Sequence, residues 1–297
     1  MYHRFASREE YARAAGTERI FTLPTDAFEE QVAYLKSAGY CFATADEARR
    51  YAAGTWRPSS PAVLLTIDDG CASAGRLAHP ILRRHGACAT VFVTTDPGAY
   101  VFRLGETGDP RLGDDELRSL DGETMRFESH AVTHRPLRAL EENEIRRELA
   151  DSKRELERIL GREVRHLAIP GNWYDGRVMR IARECGYEAV WCSKPGDVRP
   201  GASLFGLPRL NVEGPMTLPE FIAMISPSGV AKRRLVSAIK RVPGWLLGPR
   251  VWLPLRKVLL RLVPGHYLST RRVLGAVAAF GAVVVAMLVW LLLRSRA

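Results

Sequence analysis

The chain has 297 residues, of which 46% are hydrophobic and 26% charged, a composition typical of globular proteins and unlike that of disordered or fibrous chains. Its net charge of +10 comes from residues 231–297, which hold 13 Lys and Arg and no Asp or Glu. That basic block is interleaved with Trp, Leu and Val and leads into an apolar run, so we expect a membrane surface, and no nucleic acid, as its partner.

Apolar, β-branched runs that predict strands alternate with amphipathic patterns that predict helices. The predicted strands are 62–67, 87–94, 125–128, 164–169, 188–192 and 207–212. The predicted helices are 26–38, 73–85, 141–160 and 176–185. This alternation predicts an α/β fold with a parallel sheet and outer helices, arranged as an incomplete or distorted barrel. In such barrels the reactive residues lie at the C-terminal ends of the strands.

The last predicted element is an apolar helix at 273–293, which has no charge, polar amide or proline. Its length of about 31 Å, at about 1.5 Å per residue, matches the hydrocarbon core of a bilayer. More Lys and Arg precede it than follow it, which predicts a single-pass membrane protein with its front domain in the cytoplasm. We interpret 271–297 as the transmembrane helix with a short tail, and 227–270 as a basic amphipathic juxtamembrane region, with a polar linker as the alternative.

Two adjacent carboxylates, Asp68 and Asp69, end the strand predicted at 62–67 and precede Gly70. One such carboxylate can bind a cation while the other holds a proton-transfer position. An ordinary Asp-Gly turn is the alternative interpretation, because this dipeptide is common where strands end.

Two histidines, His130 and His134, follow the short strand at 125–128. At this spacing they share one face if the segment turns helically, and they could then chelate one divalent ion. Further along, Gly171 ends another strand, where its lack of a side chain lets a ligand approach and its N–H could donate to an oxyanion. Each motif alone also fits a surface pair or a plain turn. Together they lie where one rim of a barrel would gather them, as a three-ligand metal site with an open position for water.

Three segments, in this order along the chain, resemble the motifs of the polysaccharide deacetylase family, also called the NodB-homology or carbohydrate esterase 4 family. They are Thr66–Gly70, His130-x-x-x-His134 and Ile169-Pro170-Gly171. The resemblance implies a distorted (β/α)7 barrel of NodB-homology type at residues 1–226. It implies a metal-dependent hydrolase that removes an N-acetyl or other short N-acyl group from an amino sugar of a polysaccharide or lipid-linked saccharide.

The resemblance also implies roles for individual residues. Asp69, His130 and His134 would hold a divalent metal, usually Zn²⁺. Asp68 would be the base that activates the metal-bound water, and the Gly171 region would help the metal to polarise the amide carbonyl.

The sequence departs from the family pattern in three places. Ala131 stands where a Ser or Thr usually follows the first histidine, and Thr133 could partly substitute for that hydroxyl. The usual arginine of the third motif is not evident. Leu207-Pro208-Arg209 stands in the region of the family's general-acid histidine and contains no histidine. Arg209 could orient or ionise Asp68, but it cannot donate a proton at neutral pH. His3 is a candidate acid, with a structural role as its alternative.

Two other functions stay open at this point. The enzyme could face outward and act on an exported polysaccharide. Alternatively, the missing general acid could indicate a catalytically weak or inactive sugar-binding or scaffold protein of a polysaccharide assembly system.

Overall fold

The structure is a computed structural model that describes residues 1–99 and 109–239. Met1–Arg234 forms one compact unit, and Leu235–Ala297 is a second. The membrane span predicted at 273–293 lies outside the described residues, as does most of the basic region before it. Within the described ranges, none of the helices combines the length and the apolar character that crossing a bilayer requires.

The described residues contain short strands separated mostly by helices. The strands are β1 (Arg4–Ala6), β2 (Thr22–Pro24), β3 (Cys41–Phe42), β4 (Ala62–Val63), β5 (Leu65–Ile67), β6 (Ala89–Val93), β7 (Met125–Ser129), β8 (His166–Ala168), β9 (Ala189–Trp191) and β10 (Phe205–Leu207). The α-helices are α1 (Arg8–Arg13), α2 (Gly16–Phe21), α3 (Thr25–Ser37), α4 (Ala45–Ala52), α5 (His79–His85), α6 (Asp114–Leu120), α7 (Glu142–Leu160), α8 (Gly176–Glu184), α9 (Leu218–Ile225) and α10 (Pro227–Ile239).

Six of these strands form one curled parallel sheet in the order β10-β9-β8-β7-β6-β5. The start of the chain lies along the β5 edge, where the Tyr2 N–H donates to the Thr66 carbonyl oxygen at 2.8 Å. The Met1 oxygen accepts from the Val212 N–H at 3.0 Å, so the same segment connects β5 to the stretch that follows β10. This arrangement confirms the predicted α/β class with a parallel sheet.

The longest helix in the described part of the chain, α7, shows how an amphipathic sequence covers the sheet with its apolar face. Its buried apolar side chains include Ile145, Leu149 and Leu156, which recur on one face at helical spacing. The charged residues between them face outward, and the left-handed Gly161 (φ 67°) ends the helix. Glu148 and Ser152 interrupt the buried face, and Glu148 contributes to the site described below.

Two predicted strands differ from the observed ones. The strand predicted at 207–212 ends at Leu207, because Pro208 has no N–H to continue the ladder. The strand predicted at 62–67 is two strands with different partners, since β4 pairs with β3 while β5 pairs with β6. The helix predicted at 73–85 begins with a π-helical turn at Ala74–Ala78.

Candidate metal centre and active site

Three potential metal ligands meet at the C-terminal ends of β5 and β7. Asp69 lies two residues beyond β5, and His130 and His134 lie in the loop that follows β7. The Nε2 atoms of His130 and His134 are 3.5 and 3.4 Å from the Asp69 Oδ1 atom. One ligand atom from each residue lies within 4.8 Å of the others. The structure therefore brings together the three residues that the sequence analysis selected as ligands.

The chemistry of this cluster fits a divalent metal. The Asp69 Oδ1 atom is buried and has no partner in hydrogen-bonding geometry among the described residues. A buried, unpartnered carboxylate oxygen is costly, and two imidazole nitrogens face this one. Two imidazoles and one carboxylate form the donor set of many catalytic zinc sites, in which a fourth position is left for water.

His130 is oriented by the backbone of the neighbouring strand. Its Nδ1 atom is 2.8 Å from the Ala168 carbonyl oxygen, which can only accept, so Nδ1 carries a proton and Nε2 is left to face Asp69. Burial lowers the pKa of His130, but contact with Asp69 and the field of Asp68 outweigh that effect and raise it above its usual value. The acidic surroundings that attract a proton to this imidazole would also attract a metal cation.

Burial raises the pKa of Asp69, but contact with His130 and the fields of His3 and His134 bring it below its usual range. The pKa of His134 is also lowered, by burial and by the field of His130. At neutral pH the cluster therefore presents an ionised carboxylate and a neutral His134, the forms that bind metals.

The loops at this rim have a left-handed backbone at residues other than glycine. Among the described residues, positive φ angles outside glycine occur at Asp69 (76°), Ala131 (64°), His134 (59°) and Asn172 (61°). Each costs about 1 kcal/mol or more, so surrounding contacts must hold them. The expectation that His130 and His134 share a helical face is wrong. Backbone reversals at Ala131 and His134 bring the two rings to a centroid separation of 5.1 Å instead.

Glu148 of α7 fixes the loop that carries the histidines. Its buried carboxylate accepts from the Val132 N–H at 3.0 Å, the Thr133 N–H at 2.9 Å and the Thr133 hydroxyl. The Thr133 hydroxyl thus helps to hold the loop. It substitutes in this way for the hydroxyl that Ala131 lacks. Glu148 was not predicted from the sequence, although a carboxylate on the apolar face of an amphipathic helix is a signal of such a role.

Asp68 points at Arg209 rather than at the three ligands. The Arg209 Nη1 and Nη2 atoms donate to the two Asp68 oxygens at 2.5 and 2.8 Å, and Nη1 also lies 3.3 Å from the Thr66 hydroxyl. Burial raises the pKa of Asp68, but the fields of Arg209 and His130 lower it well below its usual range. The structure therefore keeps Asp68 ionised and holds its carboxylate in one orientation.

His3 also lies at this site. Tyr2 and Ile67 form an isolated parallel β-bridge. The residues that follow them, His3 and Asp68, therefore lie side by side. The His3 Nδ1 atom is buried without a hydrogen-bond partner among the described residues, and its ring contacts Phe21 edge-on at 4.7 Å. Burial lowers the pKa of His3, while the fields of Asp69 and Asp68 act in the opposite direction.

Gly171 lies in the tight turn Pro170–Asn172, just after β8 and close to the carbonyl that orients His130. Its φ angle is 56°, and a Cβ atom there would lie 2.6 Å from the Cδ1 atom of Trp173. Glycine is therefore required because an indole covers its α-carbon, a reason different from the ligand approach expected from the sequence. Its backbone N–H stays the candidate oxyanion donor.

Residues 56–190 match the family described as polysaccharide deacetylase. The protein YxkH of Bacillus subtilis (strain 168), assigned as a polysaccharide deacetylase, is 25% identical over 203 residues, or 68% of this chain and 70% of YxkH.

Solved structures show the same fold. The Streptococcus pyogenes deacetylase PplD, in complex with acetate, superposes with a TM-score of 0.66 and 25% identity, over 76% of this chain and 96% of PplD. IcaB from Ammonifex degensii superposes with a TM-score of 0.61 and 22% identity, over 75% of this chain and 93% of IcaB. The predicted resemblance to the polysaccharide deacetylase family is confirmed, and so is the predicted enzyme class, a sugar N-deacetylase.

Proposed function

We propose that this protein hydrolyses the N-acetyl group of an amino sugar in a polysaccharide or lipid-linked saccharide, with a divalent metal held by Asp69, His130 and His134. The observation that carries the proposal is the unpartnered Asp69 Oδ1 atom, which faces the Nε2 atoms of both histidines. The donor set favours Zn²⁺, which when bound acts as a Lewis acid toward water and the amide carbonyl.

Asp68 accepts the proton that water loses as it attacks the carbonyl carbon. Arg209 uses one lone pair of each Asp68 oxygen, and a second lone pair on each oxygen stays able to accept. Because Arg209 keeps the carboxylate ionised, the base is available at every pH near neutrality. Arg209 itself acts as a positioning residue, since a guanidinium does not release a proton in this range.

The chain also offers groups for the other two requirements of amide hydrolysis. The Gly171 N–H is the candidate donor to the oxygen that becomes negative as the carbonyl is attacked. His3, beside Asp68, is the candidate that protonates the leaving nitrogen as the C–N bond breaks. The products are a free amine on the sugar and acetate.

The test is acetate release by the purified protein from N-acetylated saccharides, both a soluble polymer and a lipid-linked amino sugar. We expect release that stops when a chelator removes the metal and returns when Zn²⁺ is added. Asp69→Asn is the matched inactive control, because it keeps the size of the side chain and removes its charge. Saccharide binding without acetate release from the metal-loaded protein would favour the scaffold function instead.

We also propose that the protein is a single-pass membrane protein with its catalytic domain on the cytoplasmic side, which favours a lipid-linked substrate. The support is in the sequence: the uncharged run at 273–293 and the excess of Lys and Arg before it. Protease digestion of residues 1–239 only after cells are lysed is the expected result. Digestion in intact cells would place the domain outside.

A further inference from the structure

A single indole is exposed at the rim of the candidate active site. Trp173 is 49% exposed, and the only other large hydrophobic side chain exposed in residues 1–99 and 109–239 is Leu235. Trp173 directly follows the turn Pro170–Asn172, at the C-terminal end of β8. Ligand sites are lined largely by aromatic and apolar side chains, and an exposed indole beside a reactive site offers such a surface to a ligand.

The indole is held in place by both loops that carry the site. On one side its Cδ1 atom lies over Gly171, in the space that a Cβ atom would otherwise occupy. On the other, the Arg138 N–H donates to the Trp173 carbonyl oxygen at 3.1 Å, and the Arg138 guanidinium lies 5.6 Å from the ring centroid. Arg138 is four residues beyond His134, so Trp173 is fixed to the His134 loop as well as to its own turn.

A fixed aromatic ring beside a charged group can bind a sugar ring by stacking and by hydrogen bonding. A pyranose has C–H groups on its faces and hydroxyls around its edge. The indole provides an apolar surface of matching size at low entropic cost, because Trp has two rotatable side-chain bonds and the cation contact restricts them. The Arg138 guanidinium beside it can donate hydrogen bonds to hydroxyl oxygens.

We propose that Trp173, supported by Arg138, forms a binding subsite for a saccharide unit next to the one whose acetyl group is removed. This proposal rests on the proposed function, since it names how a longer substrate chain is held at the same site. It makes Trp173 a specificity residue for chain length, with no part in bond breaking.

The test compares kcat/KM for acetate release from N-acetylglucosamine and from its tetrasaccharide. We expect Trp173→Ala to lower kcat/KM for the tetrasaccharide by about fivefold to tenfold, mainly through KM, and to leave the monosaccharide nearly unchanged. Trp173→Tyr should retain most of the wild-type preference, which separates loss of stacking from misfolding. Leu235→Ala, the other exposed apolar side chain, is the matched control and should change neither substrate.

A second measurement keeps this proposal separate from the deacetylase activity. Binding of the same tetrasaccharide to metal-free wild type and Trp173→Ala is measured by calorimetry, because removal of the metal prevents turnover. Weaker binding by Trp173→Ala supports the subsite even if no acetate is released. Equal binding, or an equal loss of kcat/KM on both substrates, overturns the subsite and leaves the proposed function standing.

Discussion

Asp68 and Arg209, 141 residues apart in the sequence, form a buried ion pair with two hydrogen bonds of 2.5 and 2.8 Å. The pair joins the end of β5 to the stretch after β10, the two edges of the parallel sheet. The Arg209 guanidinium also lies 5.2 Å from the centre of the Phe92 ring. One contact thus holds the candidate base and links the first and last strands of the sheet.

Replacing Arg209 by lysine keeps the positive charge and removes the planar fork. We expect Arg209→Lys to lower the free energy of unfolding by about 1–3 kcal/mol, because one charge-assisted hydrogen bond is lost in a buried site. Acetate release should fall about tenfold or more, since the carboxylate is no longer held in one orientation. Bound zinc should not change. Urea denaturation, kcat and zinc content are the measurements. Arg199→Lys, at an exposed pair with Asp197, is the control and should change stability little.

The pH dependence of stability tests the ionisation of Asp68. A carboxylate whose folded pKa is depressed stabilises the protein above its unfolded pKa, about 3.9, and this contribution is lost as the pH falls through the lower folded value. We expect metal-free Asp68→Asn to be less stable than wild type by about 3–5 kcal/mol at pH 7, because Arg209 is left buried and unpaired. The difference should be the same at about pH 5 and shrink only below about pH 4. A difference that grows as the pH falls would contradict the assignment.

His3 is testable as the proton donor to the leaving nitrogen. We expect His3→Gln to lower kcat by about 10²–10⁴-fold, the usual contribution of a positioned general acid. Zinc affinity should stay at the wild-type level, because His3 is not among the ligand atoms that converge. His79→Gln, a partly exposed histidine at the start of α5, should leave both quantities unchanged. A His3 variant with full activity would remove His3 from the mechanism.

Glu148 should control metal affinity although it is not a ligand. Glu148→Ala removes the acceptor for two backbone N–H groups and for the Thr133 hydroxyl, so the His134 loop loses its support. We expect zinc affinity to fall about 10–100-fold, as for other residues that orient metal ligands. Glu155→Ala, on the exposed side of the same helix, should bind zinc like wild type. Unchanged affinity in Glu148→Ala would mean that the loop is held by other contacts.

The sequence was sufficient to predict which residues meet. Asp69 and His130 each follow a strand, and parallel strands bring their carboxyl ends to one rim, so hydrophobic patterning predicted that they lie together. The α/β class followed from the same alternation of strands and helices.

Details that depend on tertiary contacts could not be predicted in this way. The positive φ angles at Ala131 and His134 are imposed by the surrounding packing and by Glu148, so the spacing of the histidines suggested a helix where a loop exists. The reason for glycine at position 171 was also hidden, because the indole that covers it comes from a residue whose orientation only the fold sets. The pairing of Arg209 with Asp68 was considered only because of the resemblance to a family.

The most direct measurement is zinc binding by wild type, Asp69→Asn, His130→Gln and Asp68→Asn, each dialysed free of metal and titrated with Zn²⁺. We expect tight binding of one zinc ion by wild type and by Asp68→Asn, and a large loss of affinity in Asp69→Asn and His130→Gln. Acetate release should be absent from all three variants. Undiminished zinc binding by Asp69→Asn, or loss of zinc from Asp68→Asn alone, would contradict the assignment of ligand and base.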